Sequence, residues 1–164
     1  MTTTEENPID SLEDWEHEMI EFFLLAADAF NLPRSVGQIF GLCFVAQQPL
    51  SLNDIVERLK ISKGSASQGL RFLRNIGAIK PVHRTGDRRD VFQPELELRV
   101  VLSGLLRERA LPYLDQGNRR LAELNQLNPS SPEARKHFLN RLAKLKAWHS
   151  QAGTLLPLLS RFIG

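Results

Sequence analysis

The sequence predicts a mainly α-helical protein with a small β-hairpin, arranged as a winged helix-turn-helix with terminal dimerisation helices. Two short helices, each with its own capping residue, follow one another between residues 51 and 76. A hairpin with a glycine in its turn comes next, and apolar residues recur at helical spacing through most of the remaining chain. We expect an acidic helix for packing or dimerisation over residues 1–33, the winged helix-turn-helix over 34–95 and C-terminal dimerisation helices over 96–164.

Charge is distributed unevenly along a chain whose net charge is only +2. Residues 1–33 contain nine acidic residues and no lysine or arginine, whereas residues 60–90 contain eight lysines and arginines against two aspartates. A compact basic block in a nearly neutral protein is typical of a surface that binds phosphate groups. This block covers the second half of the helix-turn-helix and the hairpin, which we therefore interpret as a candidate nucleic-acid surface.

The composition favours a cytoplasmic protein without membrane contact. The longest apolar run, Ile39–Ala46, is far shorter than the roughly 20 residues of a membrane-spanning helix. Residues Met1–Asn7 are polar and acidic, without the basic start of a secretory signal. The single cysteine, Cys43, lies inside the apolar run, so we interpret it as a small buried core residue.

Two helices precede the central motif. The first is predicted from Ile9 to Phe30, with an apolar side opposite most of its acidic residues. The residues of that apolar side are Trp15, Met19, Phe22, Phe23 and Ala26. The second helix, from Arg34 to Gln47, is apolar nearly all round, so we expect it to be buried on most sides at the centre of the fold.

Two serines mark the starts of the helices in the helix-turn-helix. The Ser51 side chain can accept a hydrogen bond from the first free amides of one helix, and Asp54 completes a capping box. Ser62 is predicted to cap the next helix in the same way, and that helix is predicted to end at Gly77. The buried stripe of this second helix is predicted to be Ala66, Leu70, Leu73 and Ile76. Residues 78–84 and 90–94 then form two strands joined by the turn 85–89, which is the predicted wing.

The remaining sequence is helical and carries the predicted homodimer interface. Glu95–Leu124 is predicted as one helix kinked at Pro112, and Ser131 caps a last helix that begins at Pro132 and contains Pro157. Apolar residues recur along the last helix in steps of four and three, which is typical of packing along another helix. The predicted interface residues are Phe138, Leu142, Leu145, Trp148, His149, Ala152, Leu156 and Leu159. They exceed what one small domain can cover, which indicates a partner subunit.

The outward side of the second helix of the motif carries residue types that contact DNA. Arginine can donate two hydrogen bonds to guanine, and glutamine can bond both edge atoms of adenine. Amides at helix starts and a basic hairpin tip add phosphate contacts. The predicted DNA-binding residues are Ser51, Ser62, Lys63, Gly64, Ser65, Ser67, Gln68, Arg71 and Arg74 on the helices, and Arg84, Arg88 and Arg89 on the hairpin.

Several motifs resemble the GbsR branch of the MarR-type winged helix-turn-helix transcriptional regulators. They are Gly37–Leu42, Leu50–Leu52 followed by Ile55, Ser62–Ser67, and Leu70–Leu73 followed by Gly77. Phe72 departs from the pattern, since a polar residue is more usual there. The resemblance implies a homodimeric repressor that binds a pseudo-palindromic operator in double-stranded DNA. It also implies a small-molecule effector, such as a choline-like compound, that releases the DNA.

Other classes of function have less support in the sequence. A winged helix can bind proteins without reading DNA, with its basic side on an acidic partner. An enzyme is disfavoured because the four histidines lie on different elements, with no nucleophile, phosphate loop or metal spacing around them. We expect no catalytic residue, cofactor or metal, and interpret the shared helix side of Glu13, His17 and Glu21 as solvated. The aromatic residues could cage a quaternary ammonium ion, although such stripes are more often core.

Overall fold

The chain forms seven helices and three short strands within residues 12–82 and 90–163, the part that the computed structural model describes. It divides into two units, Met1–Leu98 and Arg99–Gly164. The first unit contains α1 (Asp14–Ala29), α2 (Arg34–Val45), β1 (Leu50–Ser51), α3 (Leu52–Leu59), α4 (Lys63–Asn75), β2 (Ile79–Val82) and β3 (Val91–Pro94). The C-terminal helices are α5 (Leu98–Arg109), α6 (Leu111–Leu124) and α7 (Pro132–Ile163).

Helix α2 is the centre of the first unit, as the sequence predicts. It contacts α1, α3, α4 and β3, and its Ile39 and Leu42 side chains are completely buried. Cys43 is also buried, and this burial raises the pKa of its thiol to about 12. The thiol is therefore protonated at neutral pH, which agrees with the predicted core role. The helix ends at Val45, two residues earlier than predicted.

Two glycines of α2 allow α1 to approach closely. A Cβ atom added to Gly37 would lie 2.7 Å from the carbonyl oxygen of Phe23, and one added to Gly41 would lie 2.9 Å from the Cα of Ile20. Both neighbours are backbone atoms, so neither can move aside without shifting the whole of α1. The pair of small residues thus fixes the distance between the two helices.

Helix α1 packs on α2 with a side that only partly overlaps the one its own periodicity indicated. The buried residues of α1 are Ile20, Leu24 and Ala27. From the predicted apolar side, Trp15, Met19 and Phe22 are exposed, while Phe23 and Ala26 are half-buried. The predicted side is therefore only partly correct. The ring of Phe23 packs against that of Phe40 in α2, but the deepest burial falls on the side where the glycines of α2 admit the α1 backbone, which leaves no signal in the sequence of α1. The helix begins at Asp14 with Glu13 as its cap, and the predicted start at Ile9 lies outside the described residues.

The predicted hairpin belongs to a three-stranded antiparallel sheet with strand order β1-β3-β2. Strands β2 and β3 are antiparallel. Val82, the last residue of β2, pairs with Val91, the first residue of β3, and Ile79 pairs with Pro94 at the opposite end. Strand β1, which the sequence analysis missed, pairs Leu50 with Phe92. A two-residue strand is too short to show an alternating pattern, and here it ties the start of α3 to the hairpin.

The second unit differs from the prediction at Pro112. The expected kinked helix Glu95–Leu124 is instead two helices, because α5 begins at Leu98 and ends at Arg109, and α6 begins at Leu111. Proline is tolerated in the first turn of a helix, where its missing N–H has no intrahelical partner to lose. At the start of α7 the Ser131 Oγ accepts from the Ala134 N–H at 3.1 Å, as predicted, and α7 continues through Pro157.

Helices α6 and α7 form an antiparallel hairpin. The Lys146 Nζ donates to the Asn125 side chain at 2.8 Å near one end, and the His149 Nε2 lies 3.0 Å from the Leu114 carbonyl oxygen further along. His149 packs against Gly117, where an added Cβ would collide with the imidazole ring. This contact fixes the register of the two helices.

Replacing Gly37 by alanine is expected to lower the free energy of unfolding by about 1–3 kcal/mol, because the new methyl group collides with the α1 backbone. The higher helix propensity of alanine, worth about 1 kcal/mol, only partly offsets this loss. Gly153 is the matched control, since it is helical and an added Cβ meets nothing within 4 Å. Urea unfolding should show that Gly153→Ala is neutral or stabilising, and equal effects of the two variants would contradict the proposed packing.

Candidate nucleic-acid interface

The start of α3 is held by a reciprocal capping box. The Asp54 N–H donates to the Ser51 Oγ at 3.2 Å, and the Ser51 N–H donates to the Asp54 Oδ2 at 2.8 Å. Ser51 is also the last residue of β1 and is buried. The cap and the strand pairing therefore hold the first turn of α3 in one position, with the predicted capping residues in their predicted roles.

A short turn separates α3 from α4. Lys60 ends α3 in the left-handed conformation, with a φ of 51°. The Ser62 Oγ accepts from the Ser65 N–H at 3.1 Å and also donates to the Ser65 Oγ at 2.9 Å. Both predicted helix caps are therefore present, and Gly77 ends the segment after α4 with a φ of 71°.

Helix α4 has a packed side and a polar side. Ala66, Leu70 and Leu73 are buried as predicted, and Ile76 is buried just after the helix. Gly69 also faces inward, since an added Cβ would lie 2.5 Å from the Cδ1 of Ile39 in α2. The residues of the polar side are exposed, and they are Lys63, Gly64, Ser65, Ser67, Gln68, Arg71 and Arg74. Phe72, which departs from the family pattern, is half-buried at the edge of the packed side.

A groove of about 500 Å³ runs between the start of α3, one side of α4 and the beginning of β3. We call it the α3–α4 groove, and its lining residues are Ser51, Leu52, Asn53, Ser67, Leu70, Arg71, Arg74, Asp90 and Phe92. It brings together four predicted site residues from two elements: Ser51, Ser67, Arg71 and Arg74. Asn53 and Asp90 were not predicted as site residues, because only the folded arrangement places them beside α4.

One lysine of the basic block is neutralised within the fold. The Lys80 Nζ forms an ion pair with the Glu95 carboxylate. A hydrogen bond from Lys80, together with one from the Glu97 N–H, lowers the pKa of Glu95. The pair links β2 to the segment after β3, so Lys80 contributes less positive charge to the surface than the sequence alone indicated. Arg84, Arg88 and Arg89 lie outside the described residues.

The predicted dimer residues fall into two groups in the described part of α7. Leu142 is buried within its own unit, and Phe138, His149, Ala152 and Leu156 are half-buried there. The exposed members are Leu145, Trp148 and Leu159. Leu155 and Phe162, seven residues apart and in line with Trp148, are exposed as well. One side of the predicted dimer interface thus packs within the α6–α7 hairpin, whereas the neighbouring stripe of Trp148, Leu155 and Phe162 stays exposed.

The part of the chain that the structure describes offers no support for a metal site or a membrane helix. No three His, Cys, Asp or Glu residues among residues 12–82 and 90–163 are grouped closely enough to hold a metal ion. Over the same residues, every helix is too short or too polar to cross a membrane.

Comparison with known proteins connects this arrangement to bacterial regulators. A model of the bacterial regulatory protein arsR family matches residues 42–80, which run from the end of α2 through α3 and α4 into β2. The chain is 24% identical to the HTH-type transcriptional repressor OpcR of Bacillus subtilis (strain 168) over 147 residues, covering 85% of this chain and 80% of OpcR. It is 27% identical to the HTH-type transcriptional repressor GbsR of the same organism over 92 residues, covering 56% of this chain and 51% of GbsR.

A solved structure described as a transcriptional regulator has the same fold. It matches with a TM-score of 0.59 at 20% identity, covering 89% of this chain and 98% of that chain. The two Bacillus relatives are named as transcriptional repressors, which is the class of function that the sequence predicts for this chain. The predicted resemblance is therefore confirmed: the chain has a winged helix-turn-helix fold and is similar to the GbsR and OpcR transcriptional repressors.

Proposed function

We propose that the protein is a homodimeric transcriptional repressor that binds a pseudo-palindromic operator in double-stranded DNA. The observation that carries the proposal is the polar side of α4, where hydrogen-bond donors and two arginines are exposed together on a helix whose other side is fixed in the core. Helices α3 and α4 also have capped N-termini, and helix N-termini attract phosphate groups. Two relatives, OpcR and GbsR, are named as repressors, which supports repression instead of activation as the proposed mode of regulation.

A duplex titration at several salt concentrations tests this proposal. Wild-type protein is expected to bind a mixed-sequence duplex, with the logarithm of the association constant falling linearly with the logarithm of the salt concentration. Each neutralised phosphate contributes a slope of about −0.9, so several contacts produce a steep decline. Absence of duplex binding at low salt would contradict the proposal and favour the alternative, a winged helix that binds an acidic protein partner.

The homodimer proposal is supported by the apolar surface of the C-terminal hairpin. Among the described residues of α6 and α7, Leu142 alone is buried, and α6 contains no buried residue. Trp148, Leu155 and Phe162 form an exposed stripe at heptad spacing along α7. Apolar stripes of this length are rare on monomeric proteins. In the proposed dimer, the same stripe of a second copy covers it, because symmetric dimers bury the same surface on both subunits.

Replacing both Trp148 and Leu155 by glutamate is expected to produce monomers, since neither side chain is needed to cover the core of its own chain. Operator affinity should fall as well, because two half-sites are no longer bound by linked motifs. Leu139→Glu is the matched control, because Leu139 is exposed on α7 nine residues before Trp148 and therefore on the opposite side. Sedimentation velocity measures the result, and an unchanged dimer in the double variant would contradict this interface.

We also propose that a choline-like cation is the effector that releases the DNA. The resemblance to the GbsR branch supports this, and so does a phenylalanine cluster in which the ring of Phe23 lies 4.9 Å from that of Phe40 and 5.0 Å from that of Phe44. Aromatic faces attract quaternary ammonium ions, and Phe44 is partly exposed.

Choline chloride is expected to weaken duplex binding by wild-type protein more than an equal concentration of sodium chloride does. The sodium chloride control removes the effect of ionic strength, which alone weakens phosphate contacts. A Phe44→Leu variant keeps the apolar volume but loses the aromatic face, so its response should fall to that of sodium chloride. Equal release of wild-type protein by the two salts would contradict the effector proposal and leave DNA binding untouched.

A further inference from the structure

We propose that the α3–α4 groove holds the sugar-phosphate backbone of one DNA strand, with phosphate oxygens bound by Asn53, Arg71 and Arg74, and that Asp90 weakens this binding. The inference rests on the proposed DNA-binding function and deepens it. It assigns Arg71 and Arg74 to the DNA backbone instead of the base edges, and it adds two residues that the sequence analysis did not single out.

The groove brings cationic and neutral donors to one place from two helices. Ser67, Arg71 and Arg74 are spaced by four and three residues, so they line one side of α4. Asn53, the second residue of α3, faces the same groove from across it. Guanidinium groups bind phosphate through paired hydrogen bonds, and a side-chain amide can donate one more. Because these donors come from two helices on either side of the groove, they can bind successive phosphate oxygens of one strand.

Another side of α4 remains for base recognition. Gln68 and Gly64, four residues apart, are exposed and do not line the groove. Beside Gly64 an added Cβ would meet only the Ser62 Oγ, at 3.9 Å, so there is open space for a close approach of DNA. Helix α4 therefore separates two tasks by side, with backbone contacts toward α3 and base contacts around Gln68.

Asp90 places a negative charge in the α3–α4 groove, which distinguishes this groove from a uniformly basic surface. It lies just before β3, is exposed and lines the groove together with both arginines. A carboxylate repels phosphate, so it opposes the binding that the arginines favour. Its removal should therefore strengthen the interaction with DNA of any sequence.

The experiment measures binding of single variants of the full chain to a mixed-sequence duplex by fluorescence anisotropy over a range of salt concentrations. Arg71→Gln and Arg74→Gln should each reduce the magnitude of the log–log salt slope by about 0.9, because each removes one phosphate contact. Asn53→Ala should weaken binding with an unchanged slope, since a neutral amide displaces no counterion. Asp90→Asn should tighten binding to every duplex tested. All four positions are exposed, so the variants are expected to fold, and thermal unfolding of each one checks this.

Two control variants separate backbone contacts from net charge and from base reading. Arg58→Gln removes the same charge from a residue that lines a separate cleft with Leu12 and Gln47, so its salt slope should match that of wild type. Gln68→Ala should change which sequences are selected from a random duplex pool and leave the slope unchanged.

Specific results would overturn the assignment. An equal loss of slope in Arg58→Gln and Arg74→Gln would mean that only net charge matters. Arginine variants that change the selected sequences at an unchanged slope would be base readers, and weaker or unaltered binding by Asp90→Asn would remove that residue from the groove model. Failure of wild-type protein to bind any duplex would instead overturn the proposed function, a result that the first titration distinguishes from these outcomes.

Discussion

The position of every functional element in the first unit depends on how closely α2 is approached by its neighbours. Gly37 and Gly41 let the backbone of α1 approach one side, while Gly69 of α4 accommodates Ile39 on another. Glycine lacks a Cβ, so helix axes can come nearer and buried side chains such as Ile39 can fill the remaining space without voids. Because protein interiors are packed to high density, these contacts leave α4 essentially one orientation relative to the core.

That orientation decides which residues of α4 can reach a ligand. The inward side is occupied by Ala66, Gly69 and Leu73, so the remaining residues must face outward regardless of their chemistry. The capping box at Ser51 and its pairing through β1 to the hairpin then place the first turn of α3 next to α4. The α3–α4 groove is thus a consequence of packing and capping together, and no single helix contains it.

Local features were predictable from the sequence, whereas features set by another element were not. The caps at Ser51 and Ser62 depend on residues three apart, and the buried stripe of α4 follows from its own periodicity, so each could be read within one segment. The side of α1 that packs on α2 depends on glycines in α2, and the place of Asn53 and Asp90 in the groove depends on the whole unit. The break before α6 was also missed, because a proline allows either a kink or a new first turn.

The predicted dimer interface on α7 shows the same difference between a pattern within one helix and the element that it contacts. A heptad pattern indicates that a helix packs along another helix, but it does not identify which one. In α7 the side containing Leu142 and His149 packs on α6 of the same chain, where Gly117 makes room for the imidazole ring. Packing within the α6–α7 hairpin therefore covers part of the predicted interface, and the stripe containing Trp148 and Leu155 is left exposed for the proposed dimer contact. The proposed dimer thus requires the α6–α7 hairpin to form within each chain, because only the folded hairpin separates the covered side of α7 from the side that a second copy would contact.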